Sequence, residues 1–329
     1  MGKSLTELLY DIRRIEEHRV FLTEKKIGSM YRQLSDDLDT FLAKGYKQYA
    51  DSDGRLYLSH LDGQRKRAFF LNEIVKNVDN LEPSLQKELT DLVSKTYENC
   101  FVGMAEAIKN ANTAEEIARI TQDISVRPEV LKQAVNNNIS KLTLPSVMQK
   151  HRAEIIYQLQ RELTIGLVNG DRYETMARRM SERVGVSQSK AMNITRTESH
   201  RNVENGFMDC AEHIQEGLSG SELIYAATWR NMGDDRVRPQ QMRKTKKGWI
   251  KSYNENGANH MILEGQTVKA GEFFNLGNGV KAKAPSQSGV AAHDCNCRCF
   301  VEYNLMTVEE FANATGKSVE YVRAKYLAK

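Results

Sequence analysis

The sequence predicts an α+β fold, with a mostly helical N-terminal region, a small α+β domain of short antiparallel strands, and a closing C-terminal helix. Glycine is sparse at first and then frequent: the first 205 residues hold nine of the 21 glycines, and the last 124 hold twelve. Apolar residues follow a helical period before this shift and form short strand-like runs after it. We therefore expect a helical region over 1–145, a second domain over 146–306 (helices 146–215, sheet 221–305), and a helix over 307–329.

Composition places the chain among ordinary soluble proteins. Hydrophobic residues make up 40% and charged residues 27%, and no apolar run is long enough to cross a membrane. The charged amphipathic start is not a signal peptide, so the five cysteines are expected to be reduced thiols in a cytosol. A net charge of +4 permits contact with nucleic acid without demanding it.

Capping boxes and prolines divide the N-terminal region. Residues 4–7 (SLTE) and 113–116 (TAEE) both fit the pattern that satisfies free amides at a helix start. Pro83 and Pro128 are expected to break the helical pattern. An Asp-Gly pair within residues 46–61 indicates a loop or a short hairpin.

Three helices are expected in the middle of the chain. Apolar residues after Pro145 fall on one helical face, and this helix should end at Asn169-Gly170. A second helix is predicted over residues 172–184, with Gly185 as its end, and a third from Ser187 onward.

Short strands follow the third helix. Residues 223–229, 249–253, 261–268 and 297–303 are rich in β-branched and aromatic side chains, and glycines and polar residues separate them. Residues 307–310 (TVEE) form another capping box, which should begin the closing helix.

Cys295, Cys297 and Cys299 stand at every second position. In a strand they would share one face, with neighbouring sulfurs about 7 Å apart, which is too far for an unstrained disulfide. The row is interpretable as a buried apolar stripe, a partial metal site or a redox centre. His260 and His293 are further candidate ligands for a structural zinc ion. Because zinc knuckles usually place two to four residues between thiols, plain packing is favoured over zinc here.

A polar helical segment holds Glu198, Asn202 and Asn205, which share one face by their spacing. A carboxylate beside two amides is suited to holding a neighbouring loop or a metal. Spacing alone favours a solvated polar face.

A charged turn follows the first strand. Arg236 and Arg238 would point the same way in an extended segment and grip carboxylates or phosphates, with Asp234 as a pairing partner. Residues 236–251 contain seven Lys or Arg and no acid. An exposed hairpin with solvating charges is an equally good interpretation. The candidate residues for binding nucleic acid or a partner are Arg236, Arg238, Arg243, Lys244, Lys246 and Lys247.

No nucleophile–base–acid set, phosphate-binding glycine loop or His-Glu-x-x-His motif is present in the sequence. Two alternatives to an assembly protein remain. Asp234, His260, His293 and the thiols would form a metal-dependent hydrolase acting on nucleic acid. Residues 172–206, with a turn at Gly185, would form a helix–turn–helix-like DNA-binding module.

Several motifs occur in a fixed order, and together they resemble the phage head morphogenesis family, the minor head proteins with a Mu F-like domain. The resemblance covers residues 150–305. The residues that carry it are Arg196, Glu198, Asn205, Trp229, Asp234, Arg236, Arg238, Cys297 and Cys299.

The resemblance implies a minor capsid protein of a tailed bacteriophage, without enzymatic activity, whose motif residues are structural. Such a protein is assembled in the host cytoplasm and sits at low copy inside the head. Its partners would be the portal protein, capsid and scaffold proteins, and the viral DNA with which some members are ejected; no membrane is involved. Some members carry a fused ADP-ribosyltransferase domain, for which the 24 residues after Leu305 leave no room.

One departure from the family concerns a metal. The family often has a histidine three positions after Arg238, where this chain has Gln241. Cys295 is additional to the usual Asn-Cys-Arg-Cys run. It is a candidate replacement ligand, with His293 or His260 as the fourth.

Overall fold

The computed structural model describes residues 3–110, 143–233, 237–238, 240–245, 248–253 and 258–327, and only the backbone of the residues between 240 and 253. The helices are α1 (Leu5–Tyr49), α2 (Gln64–Asn110), α3 (Leu144–Asn169), α4 (Tyr173–Gly217), α5 (Ala291–Asp294), α6 (Val308–Thr315) and α7 (Val319–Tyr326). The strands are β1 (Leu223–Arg230), β2 (Gln240–Thr245), β3 (Gly248–Tyr253), β4 (Thr267–Lys269), β5 (Phe274–Gly277), β6 (Val280–Ala282) and β7 (Phe300–Thr307). The predicted α+β class is confirmed.

The chain divides into two compact units. The helical unit comprises Arg19–Leu92 and Leu144–Thr195. The sheet unit comprises Met1–His18, Val93–Thr143 and Arg196–Lys329. Because α1, α2 and α4 each cross a boundary between these ranges, both units contain segments of the same long helices.

The helical unit buries apolar side chains from all four of its helical segments, including Ile27, Leu89, Leu163 and Met180. One polar pair lies inside this core: the Tyr31 hydroxyl is 2.7 Å from His151 Nε2. The hydrogen bond satisfies two groups that would otherwise be costly to bury.

The sheet unit is organised around β1, which lies between β4 and β7 in an antiparallel three-stranded sheet. Both faces of β1 are covered. Tyr225 and Trp229 pack in the main core with Phe207 of α4, while Ile224 and Ala226 pack in a second cluster with α6 and α7. Two further strand pairs, β2–β3 and β5–β6, complete the unit.

Two expected helix breaks are wrong. The helix α4 continues through Gly185, and α2 continues through Pro83. An interior glycine costs only about 1 kcal/mol relative to alanine. A proline costs about 3 kcal/mol, and the burial of Leu81 and Leu85 on either side of it offsets this. The turn required by the helix–turn–helix interpretation is therefore absent, since Gly185 lies within one continuous helix. Pro128 and the capping box at 113–116 lie outside the described residues.

The predicted strands are only partly present. The strands expected at 223–229 and 249–253 are confirmed, but residues 261–268 form a short 3₁₀ helix (Met261–Leu263) before β4. Residues 46–61 end α1 and contain a 3₁₀ helix, Leu58–His60, rather than a hairpin. The capping box at Thr307 is confirmed, but the closing segment is two helices, because Gly316 adopts a left-handed conformation (φ 64°) that ends α6.

Candidate metal centre

The cysteine row does not lie in a strand. The strand β7 begins at Phe300, and the chain from Cys295 to Cys299 is irregular. Asn296 has a φ of 54°, in the left-handed region that asparagine tolerates better than most residues. This reversal turns the chain between Cys295 and Cys297, so the alternating geometry expected from the sequence is wrong here.

Cys297 and Cys299 converge on one imidazole. The Cys297 sulfur lies 3.5 Å and the Cys299 sulfur 3.4 Å from His260 Nδ1. Within the described chain, the ligand atoms of these three residues all lie within 4.8 Å of one another. The side chains are buried, at 5%, 2% and 2% exposure for Cys297, Cys299 and His260. The tertiary fold thus assembles a compact group of one nitrogen and two sulfurs.

His293 and Trp229 enclose the ring of His260. His293 Nδ1 lies 3.2 Å from His260 Nε2, with the two rings stacked at 5.4 Å. The Trp229 ring meets His260 edge-on at 5.8 Å and also contacts Phe274. These contacts fix the orientation of the imidazole between the thiols on one side and His293 on the other.

The two thiols differ in acidity. The pKa of Cys297 lies well below its ordinary value, because the Cys299 thiol donates to it and because His200 and His260 lie beside it. The pKa of Cys299 is raised by the same hydrogen bond to Cys297 and by burial. Burial lowers the pKa of His293, and the neighbouring His260 lowers it further. The environment therefore favours a thiolate on Cys297 over one on Cys299.

The backbone around the thiols is held by side chains from other segments. Arg238 donates to the carbonyl oxygens of His293 (3.3 Å) and Cys295. His200 Nε2 lies 2.9 Å from the Cys299 carbonyl oxygen. The guanidinium of Arg238 is thus used within the chain, which favours a structural role for it over the binding role considered from the sequence.

Asp294 organises the loop that precedes the thiols. Its buried carboxylate accepts from the Ser288 amide and hydroxyl, at 2.9 and 2.7 Å, and from the Gly289 amide at 2.8 Å. Ser286 in turn donates to the Asp294 carbonyl oxygen at 3.1 Å. These bonds fix the path of the chain into the cysteine segment.

The polar segment of α4 is buried, so the expected solvated face is wrong. Glu198, Asn202 and Asn205 are each no more than 3% exposed. Glu198 pairs with Arg201, and burial raises the pKa of the glutamate against the lowering effect of that partner. Asn205 accepts from Gln287. The segment holds a neighbouring loop, one of the two roles considered for a carboxylate beside two amides.

Four functional side chains were missed by sequence reasoning: Arg13, His200, Glu204 and Asp294. Glu204 accepts from Arg13 and from the Val301 amide at 3.0 Å, so it joins α1, α4 and β7. His200 and Glu204 lie inside the polar segment already singled out, and Asp294 adjoins Cys295. The partner Arg13 is distant in sequence, and no local motif marks it.

The remaining predicted residues are dispersed. Cys295 is partly exposed and lies outside the group of three ligand atoms, and Arg196 is exposed. Asp234, Arg236, Lys246 and Lys247 lie outside the described residues. Arg243 and Lys244 belong to β2, with only their backbone described.

Comparison with known proteins finds a family match for the segment that contains this centre. Residues 157–302 match the family described as Phage Mu protein F like protein. The resemblance inferred from the motifs is confirmed over this Mu F-like segment, which includes Trp229, His260 and both buried thiols.

Two relatives align with most of the chain. It is 25% identical over 281 residues to the minor head protein GP7 of Bacillus phage SPP1, covering 85% of this chain and 81% of the relative. It is 24% identical over 281 residues to the NAD(+)–arginine ADP-ribosyltransferase EFV of Enterococcus faecalis (strain ATCC 700802 / V583). That alignment covers 84% of this chain and half of the relative. The similarity to a minor head protein supports a role in a phage head.

No solved structure matches the chain. In the described part of the chain, every helix is too short or too polar to serve as a membrane span.

Proposed function

We propose that this chain is a minor head protein of a tailed bacteriophage that assembles with the portal and acts as a structural component rather than as an enzyme. The observation that carries the proposal is the 281-residue similarity to a minor head protein, which extends over most of both chains. A similarity confined to the Mu F-like segment would support only a shared module. Here it also includes sequence outside residues 157–302.

The geometry of the candidate metal centre favours a structural role. A catalytic metal needs an open coordination position that a substrate can reach. His260, Cys297 and Cys299 are nearly inaccessible, and the contacts of Trp229, His293 and Arg238 serve to hold the chain. This arrangement supports assembly over a metal-dependent hydrolase that acts on nucleic acid.

The second relative raises the question of ADP-ribosyl transfer. The activity in its name belongs to a protein of which this chain spans half the length. We propose that the shared half is the phage-type part and that this chain does not transfer ADP-ribose. Incubation with labelled NAD and an arginine-rich acceptor should leave the acceptor unlabelled, and labelling above a protein-free control would reject this part of the proposal.

The helical unit is our candidate for contact with the portal or another capsid protein. Leu22, Phe69, Tyr157 and Val168 are large apolar side chains in this unit, each 46–62% exposed. Single exposed apolar residues are normal on a monomer, but several on one unit suit a protein that works within an assembly. Polar substitution of Phe69 and Tyr157 together should reduce incorporation into particles without unfolding the chain.

The basic segment at residues 236–251 is our candidate for contact with DNA or with an acidic partner surface. A variant that neutralises four residues tests this, at Arg243, Lys244, Lys246 and Lys247. It should bind DNA more weakly and with a smaller dependence on salt. Each lost phosphate contact lowers the slope of log binding constant against log salt concentration by about one. Neutralising Lys44 and Lys47, two exposed lysines of α1, is the matched control. Unchanged retention in the first variant would reject the DNA contact.

The decisive experiment is quantitative mass spectrometry of gradient-purified procapsids, mature particles and DNA-emptied particles of the phage that encodes the chain. A minor head protein should be present at low copy together with the portal. Loss from emptied particles would add a role in ejection. Absence from all three kinds of particle would reject the structural proposal.

A further inference from the structure

We propose that His260, Cys297 and Cys299 bind a structural zinc ion in the sheet unit, through His260 Nδ1 and the two sulfurs. The inference does not rest on the proposed function, because it concerns the metal content of the purified chain. It revises the expectation from sequence, which favoured plain packing of the thiols.

The separations between the ligand atoms fit zinc. Bond lengths of about 2.3 Å to sulfur and 2.0–2.1 Å to nitrogen, at a tetrahedral angle, place a sulfur and a nitrogen ligand about 3.6 Å apart. The observed separations from His260 Nδ1 are 3.5 Å to Cys297 and 3.4 Å to Cys299. An ion can therefore occupy the centre with little movement of the three side chains. These three residues leave the fourth position to another ligand.

The contact between His260 and His293 suits the tautomer of His260 that metal binding needs. His293 Nδ1 lies 3.2 Å from His260 Nε2. When His260 donates its Nε2 hydrogen to His293, its Nδ1 lone pair is free and points at the thiols. Metal-binding histidines nearly always donate their second ring nitrogen in this way, which fixes the ring and strengthens the ligand. His293 is thus a positioning residue rather than a ligand.

The backbone of the ligand segment is held in advance. Arg238 fixes the carbonyl of Cys295, His200 lies within hydrogen-bonding distance of the carbonyl of Cys299, and Thr197 Oγ1 accepts from the Asn296 amide at 3.2 Å. Three independent partners therefore hold the five-residue segment from Cys295 to Cys299 in place. The one-residue spacing of the thiols, unusual for a zinc knuckle, is made workable by the bend at Asn296.

The ligand chemistry favours zinc over the hard cations calcium and magnesium. Two sulfurs and one imidazole suit zinc, whereas calcium and magnesium take oxygen ligands. Nearly complete burial of all three side chains favours a structural role for the ion, because a large substrate cannot reach it.

The test is the zinc content of the untagged, full-length chain, measured by inductively coupled plasma mass spectrometry after gel filtration. We expect about one zinc per chain. Cys297→Ser and Cys299→Ser should each lose it. Cys295→Ser is the matched control, since it removes a neighbouring thiol outside the group, and it should retain the metal. Equal zinc in all four proteins would place the ion elsewhere and overturn the assignment.

Because the serine variants can fail to fold, a second measurement uses the wild-type chain alone. Cobalt(II) added to the reduced, zinc-depleted protein should produce thiolate-to-cobalt charge-transfer absorption at one equivalent, and zinc should abolish it. His293→Gln should retain this absorption and weaken cobalt affinity about 10–100-fold. A folded wild-type chain that purifies without zinc and shows no charge-transfer absorption would overturn the proposal.

Discussion

Arg13 and Glu204 form an ion pair inside the sheet unit although 191 residues separate them in the chain. Glu204 is fully buried, and Arg13 is 12% exposed at its side chain. The guanidinium also donates to the Val301 carbonyl oxygen at 2.9 Å and lies over the Phe207 ring. One arginine near the N-terminus thereby joins the first helix to the motif segment and to the strand that follows the thiols.

Removal of this arginine should be strongly destabilising. Arg13→Met leaves the Glu204 carboxylate buried without its counter-charge, so the free energy of unfolding should fall by about 3–5 kcal/mol. Urea denaturation followed by tryptophan fluorescence measures the loss. Adding Glu204→Gln should recover part of it, because the amide oxygen still accepts from Val301. Lys3→Met, which breaks an exposed pair with Asp11, is the control and should change little. Wild-type stability of Arg13→Met would contradict the assignment.

His151 should make the helical unit sensitive to acid. Burial lowers its pKa to about 4, below its ordinary 6.5. The folded state therefore binds fewer protons than the unfolded state between these values, and stability is lost as the pH falls from 6.5 toward 4. The full loss is about 3 kcal/mol. Gln at position 151 can still accept a hydrogen bond from Tyr31 but cannot titrate. The free energy of unfolding of His151→Gln should therefore depend less on pH than that of the wild type between pH 6.5 and 4. His213→Gln changes an exposed histidine and should keep the wild-type slope.

Asp209 should give the opposite dependence of stability on pH. Burial raises its pKa to about 6 from 3.8, so the folded state holds a proton that the unfolded state has released. Stability then falls as the pH rises from about 4 to 6. Asp209→Asn keeps an acceptor for the Tyr97 hydroxyl and should be more stable than wild type at pH 7.5, by about 1–2 kcal/mol after allowance for partial exposure.

At pH 3.5 the advantage of Asp209→Asn should largely disappear, because the wild-type carboxyl is then mostly protonated in both states. Chemical denaturation at the two pH values measures the difference. Asp62→Asn, at an exposed position, is the control. An equal advantage at both pH values would show that the effect is not a titration of Asp209.

Two glycines of α4 should respond to alanine in opposite directions. A Cβ at Gly206 would lie 2.6 Å from the Tyr97 carbonyl oxygen, a backbone atom of α2 that cannot move cheaply. Gly206→Ala should therefore destabilise by about 1–3 kcal/mol. A Cβ at Gly185 meets nothing within 4 Å, so Gly185→Ala should stabilise by about 0.5–1 kcal/mol. Thermal unfolding of both variants tests this, and destabilisation by Gly185→Ala would contradict a continuous helix there.

The fold class, several element ends and the family resemblance were predictable from sequence because they depend on local chemistry. The helix that ends at Asn169, the strand at 223–229 and the capping box at Thr307 each depend on a few adjacent residues. Pro83 and Gly185 misled the prediction, because packing along long helices outweighs the local cost of a single poor helix former.

The sequence by itself determined which residue types were available at the site: three cysteines in a short run, two histidines, and a polar helical segment. Only the tertiary structure decided which of them meet. The chain bends at Asn296, so that Cys297 and Cys299 lie beside His260 and Cys295 lies outside the group. His293 contacts the other ring nitrogen of His260. The ion pair between Arg13 and Glu204 is likewise formed only in the tertiary structure. Periodicity carries information over a few residues, whereas these contacts join segments many residues apart, and their geometry is set by packing of the whole unit.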